Sequence, residues 1–140
     1  MSAEENKAIV RRFYDAYDSN DLDAAAAVLA DNFEHHNPLP GLPPGREGYK
    51  MGGAMFAAAF PDHHSTIEAQ IAEGDTVVTR GMFSGTHQGD MPGLPASGKR
   101  MNVPYFAMDR LENGKIVERH EQFDQLLMLQ QLGFMPAPGQ

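Results

Sequence analysis

The chain has 140 residues, 41% of them hydrophobic and 21% charged, enough to bury one core and too balanced in composition for disorder. Its 11 Lys+Arg against 19 Asp+Glu give a formal charge of −8 with His neutral, which repels nucleic-acid phosphates and anionic lipid headgroups. Cysteine is absent, so disulfides, thiol nucleophiles and zinc–thiolate sites are excluded. No apolar run reaches the roughly 20 residues of a bilayer span, and the N-terminus lacks the basic-then-apolar order of a signal peptide. The expectation is a cytoplasmic protein that binds neither nucleic acid nor membrane.

Ser2 and Glu5 have the spacing of a capping box, in which each side chain satisfies a free N–H at a helix start. The spacing that follows predicts an amphipathic helix over 3–18 with Ile9, Phe13 and Tyr17 buried. Asp21 caps a second, short helix. Residues 33–37 read as a strand leading into a loop, and the proline-rich stretch 38–45 must be loop, because proline removes donors and fixes φ. Helical spacing returns over 46–60, with Tyr49, Met55, Phe56 and Phe60 on its apolar side and Gly52-Gly53 as a weak spot that permits close packing.

The period then changes from 3.6 to 2. Ile67, Ala69 and Ile71 are expected on one face of a strand over 66–71, followed by a turn at 73–75 and a long strand over 76–86. A loop over 89–98 holds two prolines and three glycines. A strand over 100–111, an Asn113-Gly114 hairpin turn and a strand over 115–123 complete a meander. A last helix over 124–132 ends at Gly133. Helices first and an antiparallel meander second indicate an α+β fold. The expected organisation is one domain over 1–134 and a loose tail over 135–140.

Four ordered segments carry a resemblance: Phe60-Pro61-Asp62, Gly85-Thr86-His87-Gln88-Gly89, Gly114-Lys115-Ile116-Val117-Glu118, and Asp124 followed by Gln131-Leu132-Gly133. Together they resemble the SnoaL-like polyketide cyclase (ester cyclase) family, within the nuclear transport factor 2-like superfamily of cone-shaped α+β barrels. In these folds N-terminal helices pack on a curved, mostly antiparallel sheet. The resemblance implies intramolecular aldol closure of a small hydrophobic ester or carbonyl compound, without metal or organic cofactor. It implies an acid/base role for Asp124 and cavity positions for His36, Asn37 and His87. Many relatives carry Trp where this chain has His120.

An aldol closure needs a base for an α-proton, donors for the enolate oxygen and an acid for the new alkoxide. Asp124 is flanked by Phe123 and Leu126-Leu127, and an apolar setting raises a carboxylate toward neutral pH. In a regular strand His120 shares parity with Ile116, Glu118, Gln122 and Asp124, so Asp124 is expected as base with His120 relaying its proton. Arg80 is a further pocket candidate, and Tyr17, Phe56, Tyr105 and Met108 are expected to shape the wall. Asp124 alternatively caps the last helix. The pairs His35-His36 and His63-His64 each offer one inward ligand, because neighbours on a strand point to opposite faces; no spacing motif joins His36, His87 and His120 into a metal site.

Two other functions stay open. One is a non-catalytic ligand-binding or dimerisation module, or an accessory to a partner oxygenase. The other is an isomerase or hydrolase in the same cone; epoxide hydrolysis wants two carboxylates with an arginine between them, and here Arg80 and Asp124 lack a third member. A homodimer is expected through the second face of the last two strands, with Val117, Phe123 and Phe106 as its apolar surface.

Overall fold

A computed structural model describes residues 1–136 and 139. Residues 137, 138 and 140, part of the expected tail, lie outside the described residues. Helix α1 (Ala3–Asp18) begins at the capping box: Glu5 N–H donates to Ser2 Oγ and Ser2 N–H to Glu5 Oε1, both at 3.1 Å. Helix α2 (Leu22–Ala27) is capped by Asp21 on the Ala24 N–H. Strand β1 (Leu29–His35), helix α3 (Arg46–Ala59), strands β2 (His64–Glu73), β3 (Thr76–Thr86), β4 (Arg100–Glu112) and β5 (Lys115–Phe123), and helix α4 (Gln125–Gln131) follow.

The five strands form one sheet in the order β1-β5-β4-β3-β2, antiparallel except for β1 along β5. Asn113 and Gly114 both take positive φ, 51° and 79°, as a two-residue hairpin turn between twisted strands requires. Helices α1 and α3 cover the inner face of the curved sheet. Val10 and Phe13 from α1 pack there with Leu29, Val77, Tyr105 and Ile116, while Phe60, Met101, Val103, Met128 and Leu132 close the other end. Among the described residues no helix is long and apolar enough to cross a membrane.

Two bulges decide which side chains face in. On β5, Leu111 pairs with Ile116 but Arg110 pairs with Glu118, so Val117 is an extra residue. Ile116 and Val117 are both buried, and beyond them Arg119, Glu121 and Phe123 turn inward while His120 and Gln122 turn out. A second bulge on β2, between Ile67 and Ala69, leaves Ile67 facing in and Ile71 70% exposed. The expected shared face of Ile67, Ala69 and Ile71 is therefore broken, because one extra residue reverses the alternation after it. The expected dimer surface changes for the same reason: Val117 is buried, Phe123 packs against the core, and Phe106 alone of the three is exposed.

Gly48 of α3 lies against the proline-rich loop so closely that a Cβ there would sit 1.9 Å from the Pro43 carbonyl oxygen. Backbone would have to move to admit it. Gly48→Ala is expected to destabilise the fold by about 1–3 kcal/mol despite the better helix propensity of alanine. A urea titration checks this, and a midpoint equal to or above the parent's would show that the loop yields freely.

Candidate functional site

A cavity of about 130 Å³ opens between α1, α3, the proline-rich loop and the inner face of the sheet. All four tyrosines of the chain line it: Tyr14 and Tyr17 from α1, Tyr49 from α3 and Tyr105 from β4. Phe13, Phe56, Phe83 and Phe123 supply aromatic wall, and Leu39, Leu42 and Pro43 close one side. Among the described lining residues the ionisable groups, apart from the phenols, are Glu121 and His35.

Arg119 lies beneath this cavity with no solvent exposure. Its Nη1 donates to both oxygens of the equally buried Asp109, at 2.9 and 2.8 Å. Its Nη2 donates to Tyr14 Oη at 2.7 Å and to Glu121 Oε2 at 2.9 Å. The guanidinium also stands 5.0 Å from the Phe13 ring centroid and 5.1 Å from that of Tyr14, within cation–π range. Burial opposes its charge, but Asp109 and the surrounding tyrosines and Glu121 outweigh that and hold Arg119 protonated. Asp109 and Arg119 are direct cross-strand partners on β4 and β5.

Glu121 Oε1 is left free by this network. The Glu121 backbone is gripped by Asn37, whose amide donates to the Glu121 carbonyl and whose Oδ1 accepts from the Glu121 N–H at 3.0 Å. Asn37 thus stands in for one more strand partner and aims Glu121. Tyr14 accepts from Arg119, so its own O–H proton is available to a ligand. Tyr105 Oη is buried beside Tyr14 but outside hydrogen-bonding geometry and has no protein partner. Burial pushes Tyr105 up to about 12 and Tyr14 well above the usual phenol range; both remain O–H donors at neutral pH. His35 packs edge-on against Tyr49, and its Nε2 is buried without a partner.

The residues expected from sequence divide sharply. Asn37, Tyr17, Phe56 and Tyr105 line the cavity. Asp124 does not: it is exposed and accepts from the Leu127 N–H at 2.9 Å as the N-cap of α4. His120 is turned outward by the β5 bulge and stacks on His36, ring centroids 4.4 Å apart; His36 Nε2 meets Glu118 at 3.1 Å. Met108, opposite His120 in register, shares that outer face. Arg80 is 54% exposed near Glu68. His87 is fully buried away from the cavity against Phe60, and its Nδ1 accepts from the Ser97 N–H at 3.2 Å. Among the described residues no group of three or more His, Cys, Asp or Glu is arranged to hold a metal ion. Sequence reasoning missed Glu121, Arg119 and Asp109, and took His35 only as one of a pair of which one ring could face inward; the adjacent apolar pair Ile116-Val117 was the available sign of the bulge that turns Glu121 and Arg119 inward.

A helix-lined cone on a mixed five-stranded sheet, apolar in its walls and carrying one carboxylate among phenols, is the architecture of a small-molecule cyclase-type fold. The model of the SnoaL-like polyketide cyclase family matches residues 7–132, and the chain belongs to that family. It is 28% identical over 130 residues to aklanonic acid methyl ester cyclase DnrD of Streptomyces peucetius, covering 89% of this chain and 88% of that one. Among solved structures, TsrD from Streptomyces laurentii superposes with a TM-score of 0.88 at 27% identity, covering 96% of this chain and 99% of the other. Wild-type IdmH from Streptomyces antibioticus gives 0.81 at 31% identity, covering 91% and 98%.

Burial lowers the pKa of His35, and likewise that of His63, from the ordinary 6.5. Both rings bind a proton less readily folded than unfolded. Stability is then complete above about 6.5 and falls as pH drops below it toward the folded values, because the unfolded chain takes up the extra protons. Thermal melts from pH 7.5 to 5 are expected to show a falling midpoint, flattened in the His35→Gln, His63→Gln double variant. An equal slope in parent and variant would remove these two rings from the account.

Proposed function

We propose that the protein is a cyclase-type enzyme in which Glu121 performs acid/base chemistry on a neutral hydrophobic carbonyl or ester compound. The observation that carries this reading is the free Oε1 of Glu121 in an apolar cavity, across a network that leaves Tyr14 and Tyr105 as unspent O–H donors. Glu121 takes the α-proton, and the tyrosine hydroxyls donate to the enolate oxygen as its charge develops. The enolate carbon attacks the second carbonyl of the same molecule. The protonated Glu121 then returns its proton to the new alkoxide, which restores the carboxylate. Arg119 keeps Glu121 oriented, and Asp109 takes up part of the guanidinium's charge.

The position of Asp124 supports a capping role for it, and that of His120 a place on the outer face. In turnover assays on activated β-keto esters and related carbonyl compounds, Glu121→Gln is expected to lose at least about a hundredfold in kcat/KM. Asp124→Ala should stay within a few-fold while losing about 0.5–2 kcal/mol of stability. A folded Glu121→Gln enzyme as active as the parent would end this assignment and favour a ligand-binding module.

One observation supports a hydrolase as second reading. Asp109–Arg119–Glu121 is a pair of carboxylates with an arginine between them, the arrangement sought for epoxide opening and not found with Arg80 and Asp124. Against it, Asp109 is sealed from the cavity. Styrene oxide in the same panel separates the two: diol formation without carbonyl turnover would favour the hydrolase.

The outer sheet face supports a homodimer, since Phe106 and Met108 are 53% and 44% exposed on it. Light scattering is expected to give twice the chain mass for the parent and the monomer for Phe106→Glu. A monomeric parent would remove the dimer.

A further inference from the structure

In the reaction proposed above, Glu121 takes the α-proton from one face of the forming enolate. While the carboxyl stands on that face the second carbonyl adds from the other, so the alkoxide oxygen forms away from Glu121. The carboxyl is not free to follow it, because Arg119 holds Oε2 at 2.9 Å and Asn37 bonds both backbone groups of the residue. The tyrosine hydroxyls are occupied with the enolate. Among the described lining residues one ionisable group is left without a task, His35. It follows the buried Phe33 on alternate positions of β1 and shares its inward face. Its register partner is Arg119, which places Glu121 two residues further along the neighbouring strand on the same face. The backbone there is fixed: His35 N–H donates to the Pro44 carbonyl at 2.7 Å and His36 N–H to the Arg119 carbonyl at 3.0 Å. Tyr49 meets the ring edge-on, centroids 5.2 Å apart, and Nε2 is buried with no partner among the described residues.

We infer that His35 is a second catalytic residue, which carries the proton from Glu121 to the alkoxide. Burial lowers its pKa from the ordinary 6.5; Glu121 opposes this, and Arg119, His120 and His36 add to it. The ring is therefore neutral at pH 7, with a proton on one nitrogen and a lone pair on the other. The protonated Glu121 gives its proton to the bare nitrogen as the N–H bond of the other nitrogen breaks toward the alkoxide oxygen. One O–H bond forms on the product and the carboxylate is restored. The imidazole ends neutral as its other tautomer and is reset by proton exchange with water. His63 shows what the assignment depends on: it is buried, lowered in pKa by that burial and unpartnered at Nδ1, yet it does not line the cavity. The inference rests on Glu121 being the base, as proposed above.

The test is turnover of the same panel of activated β-keto esters and related carbonyl compounds by folded variants. His35→Gln is expected to lose at least about a hundredfold in kcat with KM within a few-fold, and His63→Gln to stay within a few-fold in both. Added imidazole should raise the kcat of His35→Ala saturably, by at least about tenfold, and leave Glu121→Gln unchanged; a merely structural role for the ring would give no such rescue. Without any substrate, nitrogen-15 NMR should show His35 taking up its proton at lower pH in Glu121→Gln than in the parent, since the carboxylate that favours the imidazolium is gone. Parent-like kcat in His35→Gln, a loss that imidazole does not rescue, or a His35 titration indifferent to Glu121→Gln would overturn the inference, as would a parent that turns over no compound. The two readings fail apart. A full loss in Glu121→Gln beside an unaffected His35→Gln removes the relay and keeps the base, whereas a parent-like Glu121→Gln removes the base and the relay with it.

Discussion

A guanidinium without access to water is tolerable only when its charge and its donors are met inside the protein. Arg119 meets most of that condition by drawing on three elements, with its Nε alone left without a partner. Asp109 on β4 takes two hydrogen bonds, Tyr14 on α1 takes one and Glu121 on β5 takes another. The rings of Phe13, Tyr14 and Tyr49 cover its faces from α1 and α3. Breaking a buried pair of this kind by removing one partner costs about 3–5 kcal/mol, so the helices are held over the sheet by electrostatics as well as by apolar burial. The same network decides what the cavity offers a ligand. It engages both terminal nitrogens of Arg119 and leaves one carboxylate oxygen and phenolic protons facing inward.

Which residues enter that network follows from a single extra residue. Without the bulge at Val117, the regular alternation of β5 would send Glu118, His120 and Gln122 inward and Arg119 and Glu121 to the surface. With it, Ile116 and Val117 are both buried and the charged residues at 119 and 121 face the core. Bulges often re-aim side chains next to functional sites, and here one separates a buried ion network from a surface histidine stack. Asn37 reinforces the outcome by bonding both backbone groups of Glu121 from beyond the end of β1.

Most of the fold was legible in the sequence, and the inward face of β5 was not. Apolar spacing and capping signals located α1, α2 and α4, and the Asn113-Gly114 pair located the β4–β5 hairpin, because those signals act within a few residues. Strand parity is set differently. It depends on a bulge whose other half lies on the partner strand, at Arg110 and Leu111. Asp124 shows a related limit: its position at the end of the last strand fits both a helix cap and a base, and the hydrogen bond to the Leu127 N–H is the feature that separates them. Tyr17 and Tyr105 were readable as ligand contacts, but the convergence of all four tyrosines from α1, α3 and β4 is a tertiary fact.

The cavity divides its tasks between the layers. The sheet and the last turns of α1 carry most of the ionisable and hydrogen-bonding groups, several of them tied to the Arg119 network. Helix α3 and the proline-rich loop carry shape, through Leu39, Leu42 and the glycines behind them. Packing in the second layer can change without disturbing charge in the first, because no hydrogen bond ties Gly52 or Gly53 to the ion network. The strand that supplies the carboxylate and the helix face that shapes the cavity are thus separate parts of the fold.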